Sequence, residues 1–173
     1  MNLPNKLTIA RVICVPVFVL LYAFGLNIPA LIVFIAASVT DYFDGKIARE
    51  KNLITNFGKI MDPLADKVLV YAAFCMFIDK GVMPGWMLII ILAREFAVSG
   101  MRTVAASQGT VVAAGMTGKI KTVLQMAAVI FLLLAPYGKV LNIIGQVFLW
   151  ASLVMTIVSG AEYIIKNKNV FSM

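Results

Sequence analysis

Long apolar runs, each separated from the next by a short turn, occupy nearly the whole chain. Because a helix needs about 20 mostly apolar residues to cross a bilayer, this pattern predicts six membrane-spanning helices. Their expected ranges are 12–24, 28–49, 58–78, 84–107, 120–135 and 140–165. Residues 1–11 are polar enough to lie at the membrane interface before the first helix. The expected fold is an all-α integral membrane protein, with a single domain over residues 1–173 and an N-terminal interfacial segment.

Composition excludes several other classes of protein. The chain is 62% hydrophobic and only 13% charged, which is far more apolar than a soluble domain of this size needs to be. Its net charge of +7 could suit nucleic acid, but the basic residues are spread through the turns rather than gathered on one soluble face. We therefore expect no nucleic-acid partner. Histidine is absent, so any catalysis must use carboxylate, lysine, tyrosine or metal-bound groups.

The first helix allows alternative interpretations. Lys6 and Arg11 precede its apolar run, as in the basic leader of a signal peptide, but no small-x-small cleavage site follows. We favour a retained helix. Thr8 and Arg11 either face a polar site at this membrane surface, or they are an ordinary helix start and an anchor whose guanidinium reaches toward water.

The distribution of positive charge predicts the orientation. Six spans place both termini on the same side of the membrane. That side carries Lys6, Arg11, Lys46, Arg49, Lys51, Lys59, Arg102, Lys119, Lys121, Lys166 and Lys168, whereas the opposite turns carry Lys80 and Lys139. Since lysine and arginine concentrate on the cytoplasmic side, both termini are expected in the cytoplasm.

Four aspartates stand at the ends of two apolar runs. Asp41 and Asp44 are three residues apart and Asp62 and Asp66 four apart, so on helices each pair lies on one face. Within a membrane each would cost roughly 2.5–3.5 kcal/mol. Two divalent cations would balance the four carboxylates, and an all-oxygen set suits Mg²⁺, Mn²⁺ or Ca²⁺ rather than zinc. Because Pro63 fits only the first turn of a helix, the third helix is expected to begin between residues 58 and 63, with Asp62 at its cap.

Neighbours of the aspartates indicate a phosphate ligand. Gly45 and Gly58 would allow close approach, and Lys46 and Arg49 add positive charge. A bridged metal pair can hold a diphosphate, which favours phosphoryl-type transfer at the cytoplasmic surface. One acid pair alone could instead be a structural ion pair, with Arg49 or Lys67 as partner. A divalent-cation transporter is a further alternative, disfavoured because transport sites usually lie near the midplane.

The fourth helix carries Arg94, Glu95 and Arg102 inside an apolar sequence. Arg94 and Arg102 are eight residues apart and share a face, so they should point into a polar cavity rather than into lipid. A buried structural ion pair between Arg94 and Glu95 is the competing interpretation. Lys119 and Lys121 could equally be anchors that set the topology.

The acidic pattern resembles, without departure, the signature of the CDP-alcohol phosphatidyltransferases. The matching residues are Asp41, Asp44, Gly45, Ala48, Arg49, Gly58, Asp62 and Asp66. The resemblance covers nearly the whole chain, because the family's six-helix core, cytoplasmic active site and N-terminal interfacial segment agree with the topology above. It implies that a CDP-linked lipid binds through its diphosphate and that an alcohol displaces CMP.

The resemblance also implies roles for individual residues. Asp41, Asp44, Asp62 and Asp66 would hold Mg²⁺ or Mn²⁺, as two ions. Asp66 would in addition be the general base, although a carboxylate that touches a dication becomes a weaker base. The cytidine nucleotide would be bound by Gly45, Ala48, Arg49, Gly58 and Thr8. The family commonly forms homodimers, so a homodimer in the membrane is expected.

Three segments resemble most closely the bacterial members that use glycerol 3-phosphate as acceptor: PNKLTIAR, LAREFAVSGMR and GKIKT. The donor would then be CDP-diacylglycerol, and the location a bacterial cell membrane. A cationic pocket of Arg94, Arg102, Lys119 and Lys121 would suit the acceptor's phosphate. A neutral inositol or zwitterionic serine would need less positive charge, and transfer to either remains the alternative.

Overall fold

The computed structural model describes residues 3–50, 56–107 and 115–166, and in those ranges it describes side chains except at 3–7, 41–50, 56–63 and 66. The described chain is helical and contains no strand. Its elements are α1 (Leu3–Ala23), α2 (Asn27–Glu50), α3 (Asn56–Asp79), α4 (Gly85–Ser107), α5 (Met116–Leu133), a short 3-10 turn (Ala135–Tyr137) and α6 (Lys139–Lys166). The all-α prediction is therefore confirmed for these residues.

Two predicted helix starts are wrong. α1 already begins at Leu3, so residues 3–11 are helical and continuous with the predicted first span, while their place at the membrane interface stays a prediction. The third helix begins at Asn56, before the expected range. Pro63 consequently lies in its third turn and Asp62 is not a cap. An interior proline removes one backbone hydrogen bond, but tertiary packing can compensate for that loss.

Packing between helices brings both ends of the chain into one bundle. α1 packs against α2 and α3, while α6 packs against α5 and α4, and α5 also touches α2 and α3. The α5–α6 contact is close at Gly145, where an added Cβ would stand 2.8 Å from Leu132 Cδ2. Gly25 and Gly81 have φ of 76° and 69°, which lets the chain turn after α1 and α3.

The bundle has an apolar core, and it differs from a soluble protein in its apolar surface and in its buried charges. Large apolar side chains such as Ile89 and Phe96 are about 70% exposed, whereas Arg11, Glu95 and Lys121 are buried. Such a surface is suited to lipid. Within the described residues, α5 and α6 are long and apolar enough to cross a membrane, and 8–23 and 27–40 are shorter apolar segments. The chain is a membrane protein, and its six spans stay a prediction.

Candidate active site

A cavity of about 620 Å³ opens at one end of the bundle. Its described wall comes from the first half of α3, the second half of α4, the start of α5 and the end of α6. Six side chains of this wall are basic: Lys67, Arg94, Arg102, Lys119, Lys121 and Lys166. Among the described residues of the wall the acids are Glu95 and Glu162, which leaves these residues a formal excess of four positive charges. The cavity is therefore suited to an anionic ligand.

Glu95 is the centre of the charge network. Its side chain is 8% exposed, and Oε1 accepts a hydrogen bond from Arg94 Nη1 at 2.8 Å. The same oxygen accepts a hydrogen bond from Lys121 Nζ. Oε2 pairs with Lys67 Nζ at 3.2 Å, and that ammonium also donates to Ser99 Oγ at 3.3 Å. One carboxylate thus joins cations from α3, α4 and α5.

The physical need for such an acid is clear from Coulomb's law. Two like charges 4 Å apart repel by about 4 kcal/mol at an effective dielectric constant of 20. Arg94, Lys67 and Lys121 would repel one another at the side-chain positions they occupy. The Glu95 carboxylate opposes that repulsion and accepts a hydrogen bond or ion pair from each.

Arg94 occupies a channel between two glycines. An added Cβ at Gly160 on α6 would lie 3.0 Å from Arg94 Cγ, and one at Gly118 on α5 would lie 3.5 Å from Nη2. The guanidinium therefore reaches the cavity because both neighbouring helices lack a side chain at these points. Its Nε is buried and has no hydrogen-bond partner among the described residues.

Arg102, which lies two turns after Arg94 on α4, is held by Tyr163 of α6. Its Nε donates to the tyrosine hydroxyl at 3.2 Å, and its guanidinium carbon lies 5.5 Å from the centre of the ring. Tyr163 in turn packs with Val98 and Met101 in a small apolar cluster. This contact orients the Arg102 side chain along the wall of the cavity.

The second acid on the wall, Glu162, makes a different set of contacts. It accepts hydrogen bonds from Thr117 Oγ1 at 2.7 Å and from Lys166 Nζ at 2.5 Å. Thr117 begins α5, and Lys166 lies one turn farther along α6. Glu162 therefore ties the ends of α5 and α6 together at the rim.

The structure brings together the residues predicted to bind the acceptor phosphate. Arg94, Arg102, Lys119 and Lys121 all lie on the wall of this cavity. The Arg94–Glu95 ion pair, considered as the alternative, is also present and extends to further cations. Both interpretations therefore apply to Arg94, and its role toward phosphate stays a prediction.

Sequence reasoning missed several residues of the wall. Lys67 was considered only as a possible partner of an acid pair, and Ser99, Thr117, Glu162 and Tyr163 were not singled out. One signal pointed toward Lys67: a buried glutamate requires cationic partners, and more than one was needed to surround Glu95. The sequence could not say which of 15 lysine and arginine residues would supply them.

Thr8 and Arg11 on α1 point inward. They are 1% and 2% exposed, so the interpretation of Arg11 as an anchor that reaches toward water is wrong. Arg11 Nε donates to the carbonyl oxygen of Ala37 on α2 at 3.3 Å. Ala37 lies one turn before Asp41 on α2, so the buried guanidinium of Arg11 contacts α2 one turn before the first acid pair. The nucleotide-binding role of Thr8 stays a prediction.

The acidic motif falls on two helices, as expected. Asp41 and Asp44 belong to α2, and Asp62 and Asp66 belong to α3. Their side chains, and those of Ala48 and Arg49, lie outside the described residues, as do the surroundings of Gly45 and Gly58. Helical periodicity places each acid pair on one face of its helix. Asp66 immediately precedes Lys67, so the second acid helix borders the cationic cavity.

The donor set of this motif fits a hard divalent cation. All four side chains supply carboxylate oxygen, the ligand that Mg²⁺ and Mn²⁺ favour, and neither histidine nor cysteine occurs in the motif. The aspartates are three residues apart in the first pair and four apart in the second, so each helix presents two carboxylates on one face. The residues therefore suit the ions implied by the resemblance.

Fold and site together define a helical membrane protein with a cation-rich cavity beside an acidic motif. The chemistry of such a site suits a phosphate-bearing ligand. The family model of the CDP-alcohol phosphatidyltransferases matches residues 1–158. The chain belongs to this family, and the resemblance stated from its sequence is confirmed.

Relatives whose names state an activity cover nearly the whole chain. A Bacillus subtilis protein named CDP-diacylglycerol–glycerol-3-phosphate 3-phosphatidyltransferase is 45% identical over 96% of this chain and 95% of its own length. A Rickettsia typhi protein of the same name is 41% identical over 98% of this chain and 99% of its own. A Mycobacterium tuberculosis protein named probable phosphatidylglycerophosphate synthase is 35% identical over 94% of this chain and 80% of its own length.

Proposed function

We propose that this protein transfers the phosphatidyl group of CDP-diacylglycerol to glycerol 3-phosphate, which yields phosphatidylglycerol phosphate and CMP for phospholipid biosynthesis. The names of its relatives support this donor and acceptor. The structural observation that carries the proposal is the cationic cavity, which adjoins the acid-bearing helix α3 through Lys67. A soluble alcohol phosphate would bind there, next to the expected position of the nucleotide diphosphate.

The acidic motif is the proposed site of the diphosphate. Asp41, Asp44, Asp62 and Asp66 would hold two Mg²⁺ or Mn²⁺ ions, which suits their all-oxygen donor set. When bound, these ions would neutralise the diphosphate and stabilise charge on the transferring phosphoryl group. The motif glycines at 45 and 58, with Ala48, Arg49 and Thr8, are proposed to contact the cytidine nucleotide.

The bond changes follow from this placement. A hydroxyl oxygen of glycerol 3-phosphate forms a bond to the phosphatidyl phosphorus, while the bond from that phosphorus to the oxygen of CMP breaks. Asp66 is proposed to accept the hydroxyl proton, and as a metal ligand it would also be held in place. Arg94, Arg102, Lys119 and Lys121 would bind the acceptor's own phosphate and fix the hydroxyl for in-line attack.

The wider setting is proposed on the same basis. Six spans with both termini in the cytoplasm would place the cavity at the cytoplasmic leaflet of a bacterial cell membrane, as the charge distribution predicts. There a water-soluble acceptor and a lipid donor can both reach the site. The family resemblance supports a homodimer.

CMP release tests the function directly. Purified protein in detergent with Mg²⁺ or Mn²⁺ should release CMP from CDP-diacylglycerol when glycerol 3-phosphate is added. Serine and inositol, tested in parallel at equal concentration, should give far less product, because neither carries the phosphate that the cavity suits. No CMP release from folded protein across metals and pH would refute the transfer. Preference for serine or inositol would refute the acceptor.

A further inference from the structure

The two acids among the described residues of the cavity wall differ in their contacts. Glu95 is buried and contacts cations from three helices, whereas Glu162 is partly exposed and contacts the rim residues Thr117 and Lys166. Both bring the same negative charge to a cavity proposed for an anion. By net charge alone, each should weaken phosphate binding, so the burial of Glu95 among the cations requires another explanation.

The geometry around Glu95 supplies that explanation. A carboxylate has about four lone-pair positions, which is enough to hold three cationic donors in fixed directions. Arg94 and Lys121 share Oε1, and Lys67 takes Oε2. Long basic side chains without such an anchor extend toward water and lose their common geometry.

Arg94 keeps donors for a ligand while it contacts Glu95, because an arginine guanidinium has five N–H groups. The Arg94 Nε is buried and has no hydrogen-bond partner among the described residues, so this donor is not used by the Glu95 contact. Gly118 leaves the space beside Nη2 without a side chain. The cluster is thus arranged for a further acceptor of hydrogen bonds.

We propose that Glu95 is a positioning residue of the acceptor site, whose carboxylate holds Lys67, Arg94 and Lys121 in one array that receives the phosphate of the acceptor. The proposal rests on the proposed function and adds a residue that does not touch the substrate. It leads to a counterintuitive result: removal of a negative charge from an anion site weakens anion binding.

The test compares two isosteric variants that change net charge equally. Glu95→Gln should raise the KM for glycerol 3-phosphate at least about tenfold, while kcat and the KM for CDP-diacylglycerol change less than about threefold. Glu162→Gln should lower the acceptor KM by up to about threefold, because it removes a like charge without breaking the three-helix cluster. If net charge alone governed the site, both variants would lower the acceptor KM.

Rescue and folding are measured alongside. Glu95→Asp keeps the charge but is one methylene shorter, so its acceptor KM should lie between those of wild type and Glu95→Gln. Size-exclusion chromatography and thermal unfolding identify folded protein. If Glu95→Gln does not fold, Glu95→Asp decides: an acceptor KM raised at least about threefold supports the proposal, and an unchanged one overturns it.

Failure of this proposal is distinguishable from failure of the function. Wild type that releases no CMP with glycerol 3-phosphate would refute the function, and the role of Glu95 would fall with it. Active wild type with an unchanged or lower acceptor KM in Glu95→Gln would overturn only the positioning role. A fall in kcat together with an equal rise in both KM values would also overturn it, since that pattern indicates general structural damage.

Discussion

Aromatic rings fill the space between helices toward the end of the bundle where α1 and α3 finish. Phe18 stacks on Tyr22 with 6.2 Å between ring centres, and Tyr22 meets Phe77 edge-on at 5.6 Å. Trp86 of α4 and Trp150 of α6 form a further pair at 5.9 Å. Such contacts add stability beyond the burial of their area and offer no chemistry for group transfer.

The same helices bury charge at the other end. α1 contributes Arg11, α4 contributes Glu95 and α5 contributes Lys121, all less than about a tenth exposed. Buried charges cost free energy, and each here has a partner of opposite charge or a carbonyl oxygen. In α1 and α4, aromatic contacts stabilise the bundle near one end of the helix, whereas the buried charge farther along the helix costs part of that stability.

Helix α6 shows the contrast within a single element. Gly145 lets α6 approach Leu132 of α5 in the apolar part, and Gly160 makes room for the stem of Arg94 in the polar part. Both glycines are needed for close approach, but they admit different neighbours. Substitutions at matched positions of one helix separate these two roles.

The largest effect is expected along α3. Asp66→Asn should lower the rate of CMP release about 10²- to 10⁴-fold, because it removes the proposed base and a proposed metal ligand together. Asp79→Asn is the matched control, since Asp79 is exposed at the last position of the same helix. Its rate should equal that of wild type. An Asp66→Asn enzyme that keeps more than about a tenth of the wild-type rate would contradict the assignment.

A stability effect is expected at the apolar part of α6. Gly145→Ala would place Cβ 2.8 Å from Leu132 Cδ2 and 3.0 Å from the Leu132 backbone nitrogen. Because a backbone atom cannot move aside cheaply, the free energy of unfolding should fall by about 1–3 kcal/mol. Thermal unfolding in detergent measures this loss. The acceptor KM of the folded fraction should be that of wild type, and a raised KM would show that the two ends are coupled.

The smallest effect is expected at the polar part of the same helix. Gly160→Ala would place Cβ 3.0 Å from Arg94 Cγ, which is a side-chain atom and can shift. The displaced guanidinium should raise the acceptor KM about three- to tenfold, with less loss of thermal stability than in Gly145→Ala. Steady-state kinetics with varied glycerol 3-phosphate measure it. A pure stability loss with an unchanged acceptor KM would show that Arg94 is structural.

Much of the architecture could be predicted from local signals. Apolar runs long enough to span a membrane predict the helices, and Gly25 and Gly81 predict the turns between them. Both signals are patterns of residues close together in the sequence. The start of α3 could not be predicted in the same way. Pro63 predicts a first turn, whereas it lies in the third turn of α3, which begins at Asn56.

Local sequence signals predict only part of the cavity wall. Arg94, Arg102, Lys119 and Lys121 were singled out because charge inside apolar sequence needs a polar environment. Their common wall includes Lys67, which no spacing rule connects to Glu95 across 28 positions. Arg11 is a similar case, since its burial depends on where α2 offers the carbonyl of Ala37.

By itself, the sequence determined the helical class, the family and the identity of the four aspartates, because hydropathy and residue spacing are properties of neighbours along the chain. The tertiary structure alone decided that Glu95 joins Lys67, Arg94 and Lys121, and that Gly160 gives Arg94 its path. Those contacts join α3, α4, α5 and α6, and their distances depend on how the helices pack.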